Sequence, residues 1–151
     1  MAMYSVSASG TTILLTATKS FPVGFEISAF GKDNDPFDIP DLEVADAEID
    51  LNNNFYYWGL DNPIETTINV AQNTDECKNL DVLFKRNGKT KNRALDQISL
   101  VKIFPDGTQF MLTEGIITKG GIGKPMDSTG KLKNKQFYFK FNSYTQQLVN
   151  I

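Results

Sequence analysis

The segment AFGKDNDPFDIPDLEVADAEIDLNNNFYYW, residues 29–58, gathers the side chains best suited to chemistry. Eight acidic residues lie between Asp33 and Asp50, and no basic residue follows Lys32 within the segment. Carboxylates at this density could hold a metal ion, work as an acid–base pair, or orient a protein partner. Asp33, Asp35 and Asp38 supply hard oxygens of the kind calcium accepts. Their spacing is not that of an EF-hand loop. The sixth position from Asp33 is Asp38 rather than glycine, and Pro36 and Pro40 interrupt the run. A carboxylate pair for glycoside hydrolysis also needs a sugar cleft. Phe55, Tyr56, Tyr57 and Trp58 could stack on a sugar, but a half-buried strand with core aromatics accounts for them more simply.

Elsewhere the chemistry is restricted by absence. The chain has no histidine. This removes histidine acid–base work, Ser-His-Asp and Cys-His nucleophiles, and the usual zinc ligand sets. Cys77 is the single cysteine, so no intrachain disulfide and no thiolate metal site can form. The stretch GGIGKP, residues 120–125, lacks the GxxxxGK[ST] spacing of a phosphate loop. Lys131, Lys133 and Lys135 are spaced two apart, so a strand would set all three on one basic face. Nucleic acid could bind such a face, as could an acidic neighbour. The expectation is no catalytic residue, no metal, no cofactor and no enzyme activity.

Most of the chain reads as strands. TTILLTAT (11–18) is rich in β-branched residues, and FEISAF (25–30) is short and mixed. VADAEIDL (44–51) alternates, with Ala45, Ala47, Ile49 and Leu51 on one face and Asp46, Glu48 and Asp50 on the other. That period predicts a half-buried strand. NNN (52–54) predicts a hairpin tip before FYYWGL, because asparagine tolerates left-handed backbone. ISLVKIF, PDG and TQFMLTEG predict a second hairpin over 98–115, and GIITKGGIGKP a strand running into a loop. QFYFKFNSY (136–144) alternates aromatic and polar residues.

One segment breaks the pattern. NTDECKNLDVLFKRNG (73–88) predicts a helix over about 74–87, with Asn73 as its cap and Gly88 as its stop. Asp75 and Glu76 suit its positive end, and Lys85 and Arg86 the other. Cys77, Leu80, Leu83 and Phe84 make its apolar stripe, which casts Cys77 as a packing residue. The fold class expected is mainly β: an antiparallel sandwich or barrel flanked by one helix. At 151 residues the chain is expected to form a single domain spanning 1–151.

Charge is divided along the chain. Residues 1–77 carry two bases and thirteen acids, a balance of −11, and residues 78–151 carry thirteen bases and five acids, a balance of +8. If folding keeps the halves apart, copies could orient one another by charge. MAMYSVSASGTT carries no basic residue ahead of an apolar run, so no signal peptide is expected. No run has the length of a membrane span. Between residues 31 and 43 the chain is polar and broken by proline, yet carries Phe37, Ile39 and Leu42. Isolated apolar anchors ringed by charge suit a protein contact.

SFPVGFEISAFGKDNDPFDIPDLEVADAEIDLNNNFYYW, PIETTINV, FPDGTQFMLTEGIITKG and GKLKNKQFYFKF together resemble the tail tube proteins of contractile-tailed bacteriophages, over about residues 15–142. DPFDIPD and the PDG hairpin carry the resemblance most specifically. It implies a structural virion protein, made in the host cytoplasm and resident in the tail. Six copies would form a ring, and rings would stack into a tube through which DNA slides without specific binding. Partners implied are further copies of the chain, the sheath and the baseplate, with no membrane. Asp33, Asp35, Phe37, Asp38, Ile39 and Leu42 would form a subunit-interface loop. Asp46, Glu48 and Asp50 would line the lumen, where negative charge repels phosphate. Lys131, Lys133 and Lys135 would form a basic assembly face. The rival expectations are a baseplate or fibre-adaptor protein, and a carbohydrate-binding sandwich using Tyr56, Tyr57 or Trp58.

Overall fold

The computed structural model describes residues 1, 3, 11–28, 37–88, 96–124, 126 and 128–147. In chain order the elements are β1 (Thr12–Ala17), β2 (Phe21–Ile27), β3 (Phe37–Asp38), β4 (Ala45–Ile49), β5 (Phe55–Gly59), β6 (Ile64–Val70), α1 (Asp75–Gly88), β7 (Ile98–Ile103), β8 (Gln109–Gly120) and β9 (Lys135–Gln147). Seven strands form one sheet in the order β2-β1-β7-β8-β9-β6-β3, and β4 pairs only with β5 in a separate two-stranded sheet. All the pairings are antiparallel. The protein is mainly β with a single helix among its described residues, as its strand-period segments predict.

Alternation fixes which side of the large sheet is dry. Ile13, Leu15 and Ala17 of β1, Ile64 and Ile68 of β6, and Phe137, Phe139 and Phe141 of β9 are all buried. They share one core with Leu80 and Leu83 of α1, Leu100 of β7 and Leu112 of β8. Residues from both flanks of the sheet meet in that core, so the sheet curls around it.

The helix docks through a close approach to β8. A Cβ on Gly120 would lie 2.5 Å from Cδ2 of Phe84, so only glycine lets the ring settle there. The helix cap is one residue later than expected. Asn73 takes a left-handed φ of 64° and turns the chain, and Thr74 does the capping. Its Oγ1 accepts from the Cys77 amide at 3.3 Å and donates to the Ala71 carbonyl at 2.9 Å. Such a cap is worth about 1 kcal/mol. Glu76 does not reach back to the cap, as a capping box would require; it accepts from the Ser28 hydroxyl at 3.4 Å. Cys77 is buried, and burial, with the nearby charge of Asp81, pushes its thiol above the ordinary value; Lys135 partly offsets this.

Two strands expected on either side of Gly115 are one. β8 runs unbroken to Gly120 because a bulge absorbs the irregularity: Ile98 pairs with Gly115, but Leu100 pairs with Leu112. Glu114 takes a φ of 56° at this point, and Gly115 leaves room for the Phe141 ring. The PDG turn holds as read. Gly107 has a φ of 91°, and the Asp106 carboxylate accepts from the Thr108 amide at 2.9 Å.

A buried polar knot ties distant parts together. The Asp96 carboxylate accepts from the amides of Lys19 and Ser20 at 2.7 and 2.8 Å, the Ser20 hydroxyl at 2.6 Å and Asn87 Nδ2 at 3.1 Å. Asn87 Oδ1 accepts from the Asp96 amide at 3.0 Å, and its Nδ2 also donates to the Leu83 carbonyl at 2.8 Å. One carboxylate thus joins the β1–β2 turn, the end of α1 and the approach to β7.

Candidate assembly surface

The β4–β5 hairpin stands off the sheet. Its register pairs Asp46 with Trp58, Ala47 with Tyr57, Glu48 with Tyr56 and Ile49 with Phe55. Direct partners share a face. One face therefore carries Ala47, Ile49, Phe55 and Tyr57, and the other Asp46, Glu48, Tyr56 and Trp58. The four aromatic rings are split two and two and make no single stacking platform.

Every residue of both strands is exposed. The sequence expectation of a half-buried strand with core aromatics is therefore corrected: the alternation is real, but no part of the described chain covers the apolar face. Phe55 is 62% exposed, Tyr57 77% and Leu51, at the tip, 102%. A two-stranded hairpin alone is marginal in water. Such a hairpin needs a surface to lie against.

The tip is well made. Asn53 takes the left-handed φ of 63° that the asparagine run predicts. The Asp50 carboxylate accepts from the amides of Asn52 and Asn54 at 2.8 and 2.9 Å, from Asn54 Nδ2 at 3.1 Å and from the Tyr56 hydroxyl at 3.2 Å. The bonds from Asn54, above all, hold this carboxyl below the usual aspartate value. Asp50 thus closes the turn, while Asp46 and Glu48 remain exposed on the strand. At the base, the Leu60 amide donates to the Val44 carbonyl at 3.0 Å and Asn62 Nδ2 to the Glu43 carbonyl at 3.3 Å. A cleft of about 350 Å³ opens beside it, lined by Pro40, Leu42, Pro63, Ile64 and Lys140 among others.

The remaining sequence candidates are dispersed. Asp33 and Asp35 lie outside the described residues. The backbone of Phe37 pairs with Ile68, and that of Asp38 with Thr67; Asp38 is exposed. Ile39 is half-buried and packs against the chain's own core. Leu42 is exposed. The lysine tract is not one strand face. β9 begins only at Lys135, whose side chain is buried and pairs with Asp81 at 2.7 Å. Lys131 and Lys133 precede the strand and are exposed. Among the described residues no group of three acidic, histidine or cysteine side chains could hold a metal ion. No described helix is long and apolar enough to cross a membrane.

Sequence reasoning missed the apolar side of this surface: Ile49, Leu51, Phe55 and Tyr57. Their alternation was legible. What covers them was not, because an apolar strand face reads the same whether the cover is intramolecular or another subunit.

The model of the family described as tail fiber protein gp32 matches residues 4–145. No curated protein matches the sequence. Chains of similar fold occur in several solved assemblies. One is the sheath/tube terminator of the PVC extracellular contractile injection system in its extended state, with a TM-score of 0.64 at 9% identity, covering 98% of this chain and 100% of that one. A chain of the anti-feeding prophage tube-terminating cap gives 0.61 at 11% identity, covering 99% and 95%. A chain of the anti-feeding prophage baseplate gives 0.60 at 11% identity and covers both chains fully, at 100%. At these identities the likeness concerns the fold.

Proposed function

The chain belongs to the tail fiber protein gp32 family, and from that premise we propose that it is a structural protein of a phage tail, forming six-membered rings that stack into a tube for DNA. The carrying observation is the β4–β5 hairpin, exposed on both faces, with Ile49, Leu51, Phe55 and Tyr57 uncovered. An apolar surface of this kind on a soluble chain marks an interaction site. The match to a tail-protein family makes another copy, or a sheath or baseplate subunit, the natural cover. Solved assemblies of similar fold include a tube terminator, a cap and a baseplate, and they support a place in a contractile particle.

The geometry favours a contact role over a lumen role for Asp46 and Glu48. A continuous barrel wall needs strands laddered into the main sheet. β4 and β5 ladder only with each other. Nothing in the reading requires catalysis.

The test is assembly. Purified protein, concentrated and viewed by negative-stain electron microscopy with mass from light scattering, is expected to give rings and hollow stacks. Replacing Leu51 and Phe55 together with aspartate is expected to leave monomers. The thermal midpoint should stay within a degree or two, because side chains this exposed contribute little to the isolated fold. Rings that close but never stack would instead indicate a terminator or baseplate component. Undiminished assembly of the double variant would remove the hairpin from the contact.

A further inference from the structure

The hairpin and the exposed lysines Lys78, Lys124, Lys131 and Lys133 occupy opposite ends of the β6–β9 pair. Ile64 pairs with Phe141 at one end, and Val70 with Lys135 at the other. The seven residues from Ile64 to Val70 span roughly 20 Å. The hairpin enters β6 at the Ile64 end. Its surroundings carry Asp41, Glu43, Asp46, Glu48 and Asp61, all exposed, and Glu65, which faces Lys140 at 3.5 Å.

The Val70 end has the reverse chemistry. Gln72 Nε2 donates to the Lys133 carbonyl at 2.6 Å, and the Gly121 amide to the Gln136 carbonyl at 3.0 Å, so the connection from β6 to α1 meets both ends of the β8–β9 connection here. A cavity of about 300 Å³ lies between them, lined by Gln72, Asn73, Lys78, Gly123, Lys124 and Lys135 among others. Lys78, Lys124, Lys131 and Lys133 are exposed. Asp81 is taken by Lys135 at 2.7 Å and Glu76 accepts from Ser28, which leaves Asp75 as the exposed acid of the helix start. Two large apolar residues stand among these lysines: Ile122, 84% exposed, and Met126, 64% exposed. The backbone of Met126 bridges to that of Leu132.

The two ends are complementary in both respects. Each presents exposed apolar side chains ringed by charge, and the charges are opposite. We infer that the end bearing Lys78, Lys124, Lys131 and Lys133 receives the β4–β5 hairpin of a second copy. The hairpin is gripped on both faces: Asp46 and Glu48 meet the lysines on one, and Ile122 and Met126 lie against Ile49 and Phe55 on the other. Donor and receiver sit on different surfaces, so the contact is heterologous and repeats head to tail along a stack. It rests on the reading of the chain as a self-assembling tail protein, and names the surface that such assembly uses between successive rings. Lys135 takes no part, being buried in its pair with Asp81.

Charge reversal with rescue tests the pairing. The variants are Asp46→Lys with Glu48→Lys, Lys124→Glu with Lys133→Glu, and all four together. Circular dichroism confirms the fold of each, and the critical concentration for stacking is read by light scattering at low salt. Each pair alone is expected to raise it by at least about tenfold, since like charges then face each other across the contact. The four together should restore it to near the unaltered value. The unaltered protein should also stack less readily in molar salt, which screens exposed pairs. If the lysine variant stacks as the unaltered protein does while the Leu51 and Phe55 variant does not, the receiving surface is elsewhere and only this inference falls. If the fourfold variant is not restored, the pairing is wrong in the same way. An unaltered chain that stays monomeric at millimolar concentration in low salt overturns both this inference and the self-assembly it rests on.

Discussion

Asp96→Ala should lower the unfolding free energy by about 3 kcal/mol or more, read by urea denaturation. The carboxylate is 1% exposed and serves four donors. Its loss leaves the half-buried Ser20 donors and the buried Asn87 amide without their acceptor, and leaving such donors unpaired costs more than the bonds themselves contribute. The same group sets an acid limit. Burial pushes its carboxyl up, but the bonds from Ser20, Lys19 and Asn87 outweigh this and hold it below the ordinary aspartate value of 3.8. A depressed folded value means the contribution is complete above 3.8. It is lost as pH falls below 3.8 toward and through the folded value, because the unfolded chain takes up the proton first. Stability of the unaltered protein should therefore fall in that window, and the Asp96→Ala protein should show a shallower fall. Equal slopes for the two would show that other carboxylates carry the acid response.

Gly115→Val is expected to cost about 3 kcal/mol, at the upper end of what overpacking a core does. The physical reason is a single contact. A Cβ at residue 115 would lie 2.1 Å from Cδ1 of Phe141, closer than atoms can stand. Phe141 cannot easily yield, since it is 1% exposed and its ring stacks on Phe139 with centroids 6.1 Å apart. The clash also falls beside the bulge at Glu114, where the strand has no slack to shift. Shortening the opposing ring should relieve part of the loss. Phe141→Leu is destabilising alone, but Gly115→Val with Phe141→Leu should be better than the sum of the two, because the sites touch. Strict additivity in a double-mutant cycle would count against the contact.

How much of this could be read beforehand depends on range. The helix was legible because its signals are local: acids in the first turn, bases in the last, and an apolar stripe that becomes the buried face. The PDG turn was legible for the same reason. The cap was misplaced by one residue, since Asn73 and Thr74 are both capping types and only the backbone decides between them. Lys135 was misread because a period of two was extended through residues that precede the strand. The knot at Asp96 left no trace. Its partners Lys19 and Ser20 are 77 and 76 residues away in sequence, and nothing about an isolated aspartate announces them. The hairpin is the instructive case. Its register, its tip and the division of its faces all follow from alternation and from the asparagines. Its exposure does not, because burial is a property of whatever stands opposite.

The placement of Cys77 gives the molecule an internal reporter. The thiol lies under the helix at 3% exposure, and its ionisation is suppressed by burial and by the Asp81 carboxylate. A thiol-reactive dye meets only the ionised, accessible form. The intact subunit should thus label slowly, and excursions in which α1 lifts from the sheet should speed the labelling. Where closing is faster than reaction, the labelling rate measures the free energy of that excursion. With no second cysteine in the chain to confuse the signal, the loosening of one helix can be timed separately in the free subunit and in an assembled particle.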